Sequence, residues 1–283
     1  MLDLEAASIR FRGAGGVAIA ADRWGTPGDR PVLLMHGGGQ TRHAWGGTAR
    51  ALAAAGHFAI SLDARGHGDS GWAPGGDYRL EAFVDDVLAV TAELGARPAL
   101  VGASLGGLTS LLLEGEVAPG TARAVVLVDV VPRVEPDGAD RIHQFMTGNP
   151  EGFADLEEAA AAISRYLPHR PNRGVPAGLQ KNLRQGADGR WRWHWDPAFL
   201  SEGALTAVHD VDRMRACARN LRPPTLLVRG RMSDIVSEAG AAELLADCPH
   251  AKFVDVSEAG HMVAGDKNDA FTAAVVEFLK DAA

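Results

Sequence analysis

The sequence predicts an α/β protein with a mainly parallel sheet that helices cover on both faces. Short apolar runs alternate along the chain with Ala/Leu-rich stretches of helical periodicity. The runs are apolar throughout, which is typical of strands buried on both faces. The chain has 283 residues, 46% of them hydrophobic and 23% charged. This length and composition fit one large domain, or a domain with an inserted subdomain, and exclude a disordered chain.

The individual elements follow from the same alternation. The predicted strands are Val17–Ala21, Pro31–Met35, His57–Asp63, Pro98–Ala103, Ala122–Val131, Thr225–Val228 and Lys252–Val256. The predicted helices between them are Arg42–Ala55, Leu80–Leu94, Ser104–Leu113, Glu238–Leu245 and Asp269–Leu279. Such βαβ units predict a doubly wound sheet.

The alternation is interrupted between about Pro132 and Leu221. No strand is expected there, Glu157–Tyr166 has a helical pattern, and prolines punctuate the remainder. We therefore predict a mostly helical cap, residues 132–221, inserted between two parts of an α/β core, residues 1–131 and 222–283.

Charge and cysteine content narrow the possible partners. The net charge of −8 makes nucleic acid an unexpected ligand, because an acidic surface repels phosphates. The two cysteines, Cys217 and Cys248, form no CxxC motif, which argues against a disulfide scaffold or a structural zinc site. No apolar run reaches the ~18 residues that span a bilayer, and no signal peptide is recognisable. We expect a cytoplasmic protein without membrane contact.

A nucleophile motif follows one of the predicted strands. Gly102-Ala103-Ser104-Leu105-Gly106-Gly107 is a G-x-S-x-G sequence between a strand and a helix. This context places a serine on a tight turn, and the glycines remove side chains that would clash there. The following helix directs free N–H groups at an oxyanion beside the serine. Ser104 is thus the predicted nucleophile.

A serine nucleophile needs a base and an orienting acid, which follow it in the order Ser, acid, His in this architecture. His261 follows the strand Lys252–Val256 and is the predicted base. Asp234 lies in a Gly-led loop after Thr225–Val228 and is the predicted acid. Asp129, at the end of an earlier apolar run, fits the same order and is the alternative.

A glycine-rich turn supplies the predicted oxyanion hole. His36-Gly37-Gly38-Gly39 follows the strand Pro31–Met35, and its glycines let the backbone approach a substrate closely. We expect the N–H of Gly38 to be one donor, with Gly39 as its alternative, and the N–H of Leu105 to be the other. His36 and His67 precede the acid in the chain and are expected to orient loops.

Other chemistries lack their signatures. The sequence has no P-loop, no G-x-G-x-x-G after the first strand, no H-E-x-x-H and no clustered Cys and His. Neither a metal nor a cofactor is expected.

The cap contains the segment Trp191-Arg192-Trp193-His194-Trp195. In an extended segment the three indoles would share one side and His194 would lie on the other. The indoles could form an aromatic wall of the substrate pocket or could pack the cap onto the core. His194 is expected to be solvated or hydrogen-bonded and not catalytic. Phe145, Met146 and Tyr166 are further cap candidates.

Five motifs in order resemble the α/β-hydrolase superfamily. They are HGGG at His36–Gly39 with Trp45 downstream, DxRGxGxS at Asp63–Ser70, GASLGG at Gly102–Gly107, GRMSD at Gly230–Asp234 and GHM at Gly260–Met262. The resemblance implies a mostly parallel eight-stranded sheet, a helical cap after the sixth strand and no cofactor. Within the superfamily the chain resembles the branch of epoxide hydrolases, cofactor-free haloperoxidases and carbon–carbon bond hydrolases. Ser104 stands where epoxide hydrolases carry Asp. Gln40 and Met262 stand where many carbon–carbon hydrolases carry Pro and Trp.

We therefore expect a serine hydrolase that acts on a small carboxylic ester or lactone through an acyl-enzyme. The alternatives are a carbon–carbon bond hydrolase or perhydrolase with the same triad, and a relative that binds ligands without turnover. The expected partner is a small-molecule acyl substrate, and a homodimer is the alternative to a monomer. The predicted pocket residues are His36, Gly39, Trp45, Phe145, Trp191, Trp193, Trp195 and Met262.

Overall fold

A computed structural model describes residues 4–166, 178–201, 210–257, 260 and 268–282. Its strands are β1 (Ala7–Arg12), β2 (Ala18–Trp24), β3 (Arg30–Met35), β4 (His57–Leu62), β5 (Ala99–Ala103), β6 (Ala124–Val128), β7 (Leu183–Gln185), β8 (Trp191–Trp193), β9 (Thr225–Gly230) and β10 (Lys252–Val256). Its α-helices are α1 (Gly46–Ala54), α2 (Leu80–Leu94), α3 (Leu105–Leu112), α4 (Pro136–Thr147), α5 (Leu156–Tyr166), α6 (Val211–Asn220), α7 (Glu238–Asp247) and α8 (Asn268–Asp281).

Eight of these strands form one sheet within the described residues. Their order is β1-β2-β4-β3-β5-β6-β9-β10. The pairs from β4 to β10 are parallel, while β1 with β2 and β2 with β4 are antiparallel. The expected mostly parallel eight-stranded sheet is confirmed. The strand β1 was not predicted, because its alternating burial gives only a weak signal at the edge of the sheet.

A hydrophobic core lies on each face of the sheet, because successive side chains of a strand point to opposite faces. Leu33 of β3 contributes to the core beneath α2, α3, α6 and α7, whereas its neighbours Val32 and Leu34 contribute to the core beneath α1 and α8. Because both faces are covered, the central strands are apolar throughout.

The chain between β6 and β9 forms the cap and one core helix. The described part of the cap comprises the helices α4 and α5 and the antiparallel hairpin β7–β8, and the prediction that this segment has no strand is wrong. The last helix, α6, packs against α3 and α7 and belongs to the helical layer of the core. A small third core, which includes Phe153 and Leu179, holds α5 against the hairpin.

Among the described helices, none combines the length and the apolar character that a membrane crossing requires.

Candidate active site

Ser104 lies on a strained turn between β5 and α3. Its backbone has φ 46° and ψ −112°, a region that L-residues rarely adopt. Among the described residues other than glycine, only Ser104 and Asp129 have positive φ angles. The Ser104 N–H donates to the carbonyl of Val128, 3.2 Å away, which fixes the turn beside the end of β6. The strain holds the Ser104 side chain, which is half-buried, at the carboxyl edge of the sheet.

The glycines around Ser104 are required by close backbone approach. A Cβ on Gly102 would lie 2.3 Å from the carbonyl carbon of Gly106, and one on Gly106 would lie 2.5 Å from the Met35 oxygen. A Cβ on Gly107 would lie 2.4 Å from Val130. The geometry therefore agrees with the steric reason for the motif that the sequence suggested.

The loop His36–Gly39 adjoins Ser104. A Cβ on Gly37 would lie 3.2 Å from the Cβ of Ser104. The Gly37 N–H donates to Gln40 Oε1 at 2.9 Å, and the Gly39 N–H donates to His67 Nε2 at 3.1 Å. The N–H of Gly38 has no hydrogen-bond partner in the described part of the chain. Gly38 is therefore the loop residue whose N–H is available to an oxyanion, and the alternative, Gly39, is occupied.

The second expected donor lies at the start of α3. Leu105 is the first residue of this helix, where backbone N–H groups have no acceptor one turn earlier. The Leu105 N–H directly follows the turn that carries Ser104, and Gly37, which precedes Gly38, lies beside the same turn.

Three buried histidines hold this loop in place. Each uses both ring nitrogens: His67 accepts from Gly39 and donates to the Arg65 carbonyl at 2.9 Å. His194 accepts from the Gly68 N–H at 2.7 Å and donates to the Gly39 carbonyl at 3.3 Å. His36 accepts from the Ala64 N–H at 3.0 Å and donates to the Gly37 carbonyl at 2.8 Å. These pairings require neutral rings with fixed tautomers.

The electrostatics of the three rings agree with this assignment. Burial lowers the pKa of His36 and lowers that of His67 well below its ordinary value. Burial, reinforced by the neighbouring His36, lowers the pKa of His194 to about 3. Neutral rings can accept N–H bonds, so the low pKa values and the hydrogen bonds support each other. The expectations that His36 and His67 orient loops and that His194 is hydrogen-bonded agree with this geometry.

The segment Asp63–Ser70, which contains His67, is held in place by buried ion pairs and hydrogen bonds. Asp63 is fully buried and accepts hydrogen bonds from the backbone N–H of Arg42 at 2.7 Å and from its guanidinium. Arg65 forms an ion pair with Asp86 of α2 at 2.7 Å. The DxRGxGxS motif therefore anchors the loop that contacts the predicted oxyanion turn.

The two candidate acids lie in different surroundings. Asp129 is fully buried at the end of β6, and its carboxylate accepts from the Gly230 N–H at 3.0 Å and from Ser233 Oγ at 2.6 Å. Asp234 lies in the loop after β9, its side chain is 43% exposed, and it forms an ion pair with Arg141 of α4. The sequence favoured Asp234, but the surroundings of Asp129 are those of a buried orienting carboxylate.

The predicted base lies outside the described residues, and so does Met262. Gly260, immediately before His261, is buried and follows the carboxyl end of β10. Since β10 runs parallel to β9, this end lies at the same edge of the sheet as Ser104 and Asp129.

Several of the predicted pocket residues lie together at Gly39, whereas Trp191 packs within the cap. Gly39 lies under Trp195, since a Cβ on Gly39 would be 3.2 Å from the indole, and Trp195 stacks on Trp193 with centroids 5.1 Å apart. Phe145 of α4 contacts Trp193 at 5.4 Å. Trp191, on the hairpin, packs against the small core of the cap.

Trp45 and His36 differ from the expectation. Trp45 is buried in the core beneath α1 and α8, where its ring lies 5.8 Å from that of Phe271. The short helical turn Arg42–Trp45 carries Trp45 away from the site and onto the opposite face of the sheet, so it does not line the pocket. The His36 ring hydrogen-bonds to the Gly37 carbonyl within the predicted oxyanion loop (residues 36–39), and it lines a cavity of about 30 Å³ beneath α3.

The sequence alone did not identify a cleft between α4 and α5 in the cap. It has a volume of about 370 Å³, and Arg141, Gln144, Phe145, Asn149, Arg165 and Tyr166 are among its lining residues. Its aromatic floor is Phe145 stacked on Tyr166, with centroids 4.3 Å apart. Two helices that meet only in the tertiary structure form it, so no local sequence motif marks it.

No group of His, Cys, Asp or Glu side chains in the described ranges is arranged to hold a metal ion.

A model of the α/β-hydrolase fold family matches residues 30–267, and the chain belongs to this family. The esterase Rv0045c of Mycobacterium tuberculosis is 33% identical over 88% of this chain and 82% of its own length. The 3-hydroxybutyrate-oligomer hydrolase of Cupriavidus necator is 30% identical over 88% of both chains. These relationships make the protein a hydrolase.

Solved structures share the same architecture. The crystal structure of E-2-(acetamidomethylene)succinate hydrolase superposes with a TM-score of 0.86 over 98% of this chain and 100% of its own, at 23% identity. A structure of the esterase Rv0045c superposes with a TM-score of 0.76 over 97% of this chain and 92% of its own, at 29% identity. The first likeness concerns the fold alone.

Proposed function

We propose that this protein hydrolyses small carboxylic esters or lactones through an acyl-enzyme on Ser104. The carrying observation is the strained Ser104 turn beside a loop whose Gly38 N–H is available to an oxyanion. Two relatives, one named as an esterase and the other as a 3-hydroxybutyrate-oligomer hydrolase, support this proposal.

The reaction begins when His261 takes the proton of Ser104 as the hydroxyl oxygen attacks the carbonyl carbon. The N–H groups of Gly38 and Leu105 stabilise the tetrahedral oxyanion, and the protonated His261 gives its proton to the leaving alcohol. His261 then activates a water molecule, which attacks the acyl-enzyme, releases the acid and restores Ser104.

For the orienting acid we favour Asp129 over Asp234. Asp129 lies one strand from Ser104, and two hydrogen bonds direct its carboxylate at the strand ends. Asp234 forms an ion pair with Arg141 of the cap helix α4. This pair neutralises the negative charge of Asp234, which would otherwise stabilise an imidazolium. This reverses the preference that the sequence alone suggested.

A fluorophosphonate probe tests the nucleophile directly, since it reacts only with an activated serine. We expect one adduct per chain, located by mass spectrometry on the peptide that contains Ser104. We also expect turnover of p-nitrophenyl acetate, with an acetyl adduct on the same peptide after acid quenching. Labelling of another residue, or no labelling and no turnover of activated esters and lactones, would contradict the proposal.

A further inference from the structure

We propose that the cleft between α4 and α5 binds a carboxylate group of the substrate, with Arg165 as its principal ligand and Arg141 as the second. This inference rests on the proposed ester hydrolysis and names the class of ester: one that carries a free carboxylate on its acyl part.

The first step is the charge of the cleft. The protein as a whole has a net charge of −8, yet both charged side chains that line this cleft are arginines. None of its described lining residues is acidic. A guanidinium presents planar, paired N–H donors that match a carboxylate. The cleft is therefore a local positive site on an acidic protein.

The second step is the difference between the two arginines. Arg141 already forms an ion pair with Asp234, which is outside the lining of the cleft. Arg165, in the last turn of α5, has no ion-pair partner among the residues that the structure describes. Arg165 is exposed and lines the cleft, so it can bind an anion without losing an ion-pair partner among the described residues.

The third step is the shape of the remaining lining. The amide side chains of Gln144 and Asn149 add neutral hydrogen-bonding groups beside the arginines. Stacked Phe145 and Tyr166 supply a flat apolar floor. A short acyl chain that ends in a carboxylate matches this lining. Its apolar part can lie on the rings, and its anionic end can contact the arginines.

The fourth step connects the cleft to the nucleophile. Phe145 contacts Trp193, Trp193 stacks on Trp195, and Trp195 covers Gly39 of the oxyanion loop. The ion pair between Arg141 and Asp234 also joins α4 to the loop after β9 at the carboxyl edge of the sheet. The floor of the cleft is thus in contact with the layer of rings that covers Gly39.

The test uses a matched pair of activated esters with the whole protein. One is the mono-p-nitrophenyl ester of glutaric acid, and the other is its methyl-capped, neutral counterpart. We expect the wild type to prefer the free acid in kcat/KM. Arg165→Gln should lower this preference on the order of tenfold, because a charge-assisted hydrogen bond is lost. Arg165→Lys should retain part of it.

Arg192→Gln is the control, because Arg192 is an exposed cap arginine that pairs with Asp188 away from the cleft. Its preference for the acidic ester should equal that of the wild type. An equal preference in the Arg165→Gln variant, or no preference in the wild type, would overturn the carboxylate site while leaving ester hydrolysis intact.

A binding measurement separates this proposal from the proposed function. Calorimetry with glutarate and with neutral glutaramide, on the Ser104→Ala variant, requires no turnover. We expect glutarate alone to bind, and Arg165→Gln to abolish that binding. If no ester is hydrolysed but glutarate binds through Arg165, only the proposed reaction fails. If glutarate does not bind, the carboxylate site fails.

Discussion

The strand ends of the core and the cap cleft are built in opposite ways. At the strand ends, Asp129 and the histidines that hold the oxyanion loop are buried, and each has defined hydrogen-bond partners. In the cleft, Arg165 is exposed and has no ion pair among the described residues. Groups that hydrogen bonds already hold in place need not rearrange during a reaction. An exposed charged side chain without an ion-pair partner is available to bind a ligand. Under the proposed function, the core performs the chemistry and the cap selects the substrate.

The largest effect is expected at Ser104. If the strand ends perform the chemistry, Ser104→Ala should lower kcat for p-nitrophenyl acetate on the order of 10⁴- to 10⁶-fold, because the nucleophile is lost. The circular dichroism and melting temperature of the variant should match those of the wild type. More than about a tenth of the wild-type activity would show that the reaction does not use this serine.

The next largest effect distinguishes the two acids. Asp129→Asn should lower kcat on the order of 10⁴-fold, because an amide cannot stabilise the imidazolium of His261. Asp234→Asn should cost far less, because its carboxylate is exposed and already paired with Arg141. Steady-state kinetics of both variants with one activated ester provide the measurement. The opposite ranking would return the acid to Asp234, as the sequence suggested.

A third effect is expected in the stability of the oxyanion loop at low pH. The folded pKa of His194 is about 3, below its ordinary value of 6.5, so the unfolded chain binds its proton first as the pH falls. The contribution of the neutral His194 ring to the free energy of unfolding is fully present above pH 6.5. It is lost as the pH falls from there toward 3. Lowering the pH from 7 to 5 should therefore lower the free energy of unfolding by about 2 kcal/mol through this residue.

Urea unfolding of the wild type and of His194→Gln at pH 7 and pH 5 measures this difference. The variant should lose about 2 kcal/mol less than the wild type over this interval. Equal pH dependence in the two proteins would show that His194 is not held neutral. Arg192→Gln, two residues before His194, is the matched control and should behave like the wild type.

The smallest effect is expected in the cap. Trp193 is half-buried and contacts Phe145, Phe153 and Trp195, so Trp193→Ala should change the shape of the substrate side of the cap. The ratio of kcat/KM between short and bulky esters should change several-fold, while kcat for the acetyl ester falls little. Trp191→Ala should change the ratio less, because Trp191 packs within the cap. Unfolding or equal loss of all activities would indicate that Trp193 only packs.

The sequence by itself determined most of the sheet and the turn that carries Ser104, because both depend on local signals. Uninterrupted apolar runs predicted strands such as β5 and β6, and the glycines around Ser104 marked the turn with positive φ. The HGGG sequence likewise identified the loop that contains Gly38. In each case the physical constraint acts over a few consecutive residues, so the sequence records it.

Only the tertiary structure decided which residues share a surface. Trp45 follows the oxyanion loop by a few residues but packs on the opposite face of the sheet. Asp234 occupies the motif position of an acid, yet Arg141, 93 residues away, pairs with it. The cleft between α4 and α5 likewise depends on how two helices pack. These properties arise from burial and charge pairing between distant segments, which no local pattern of residues records.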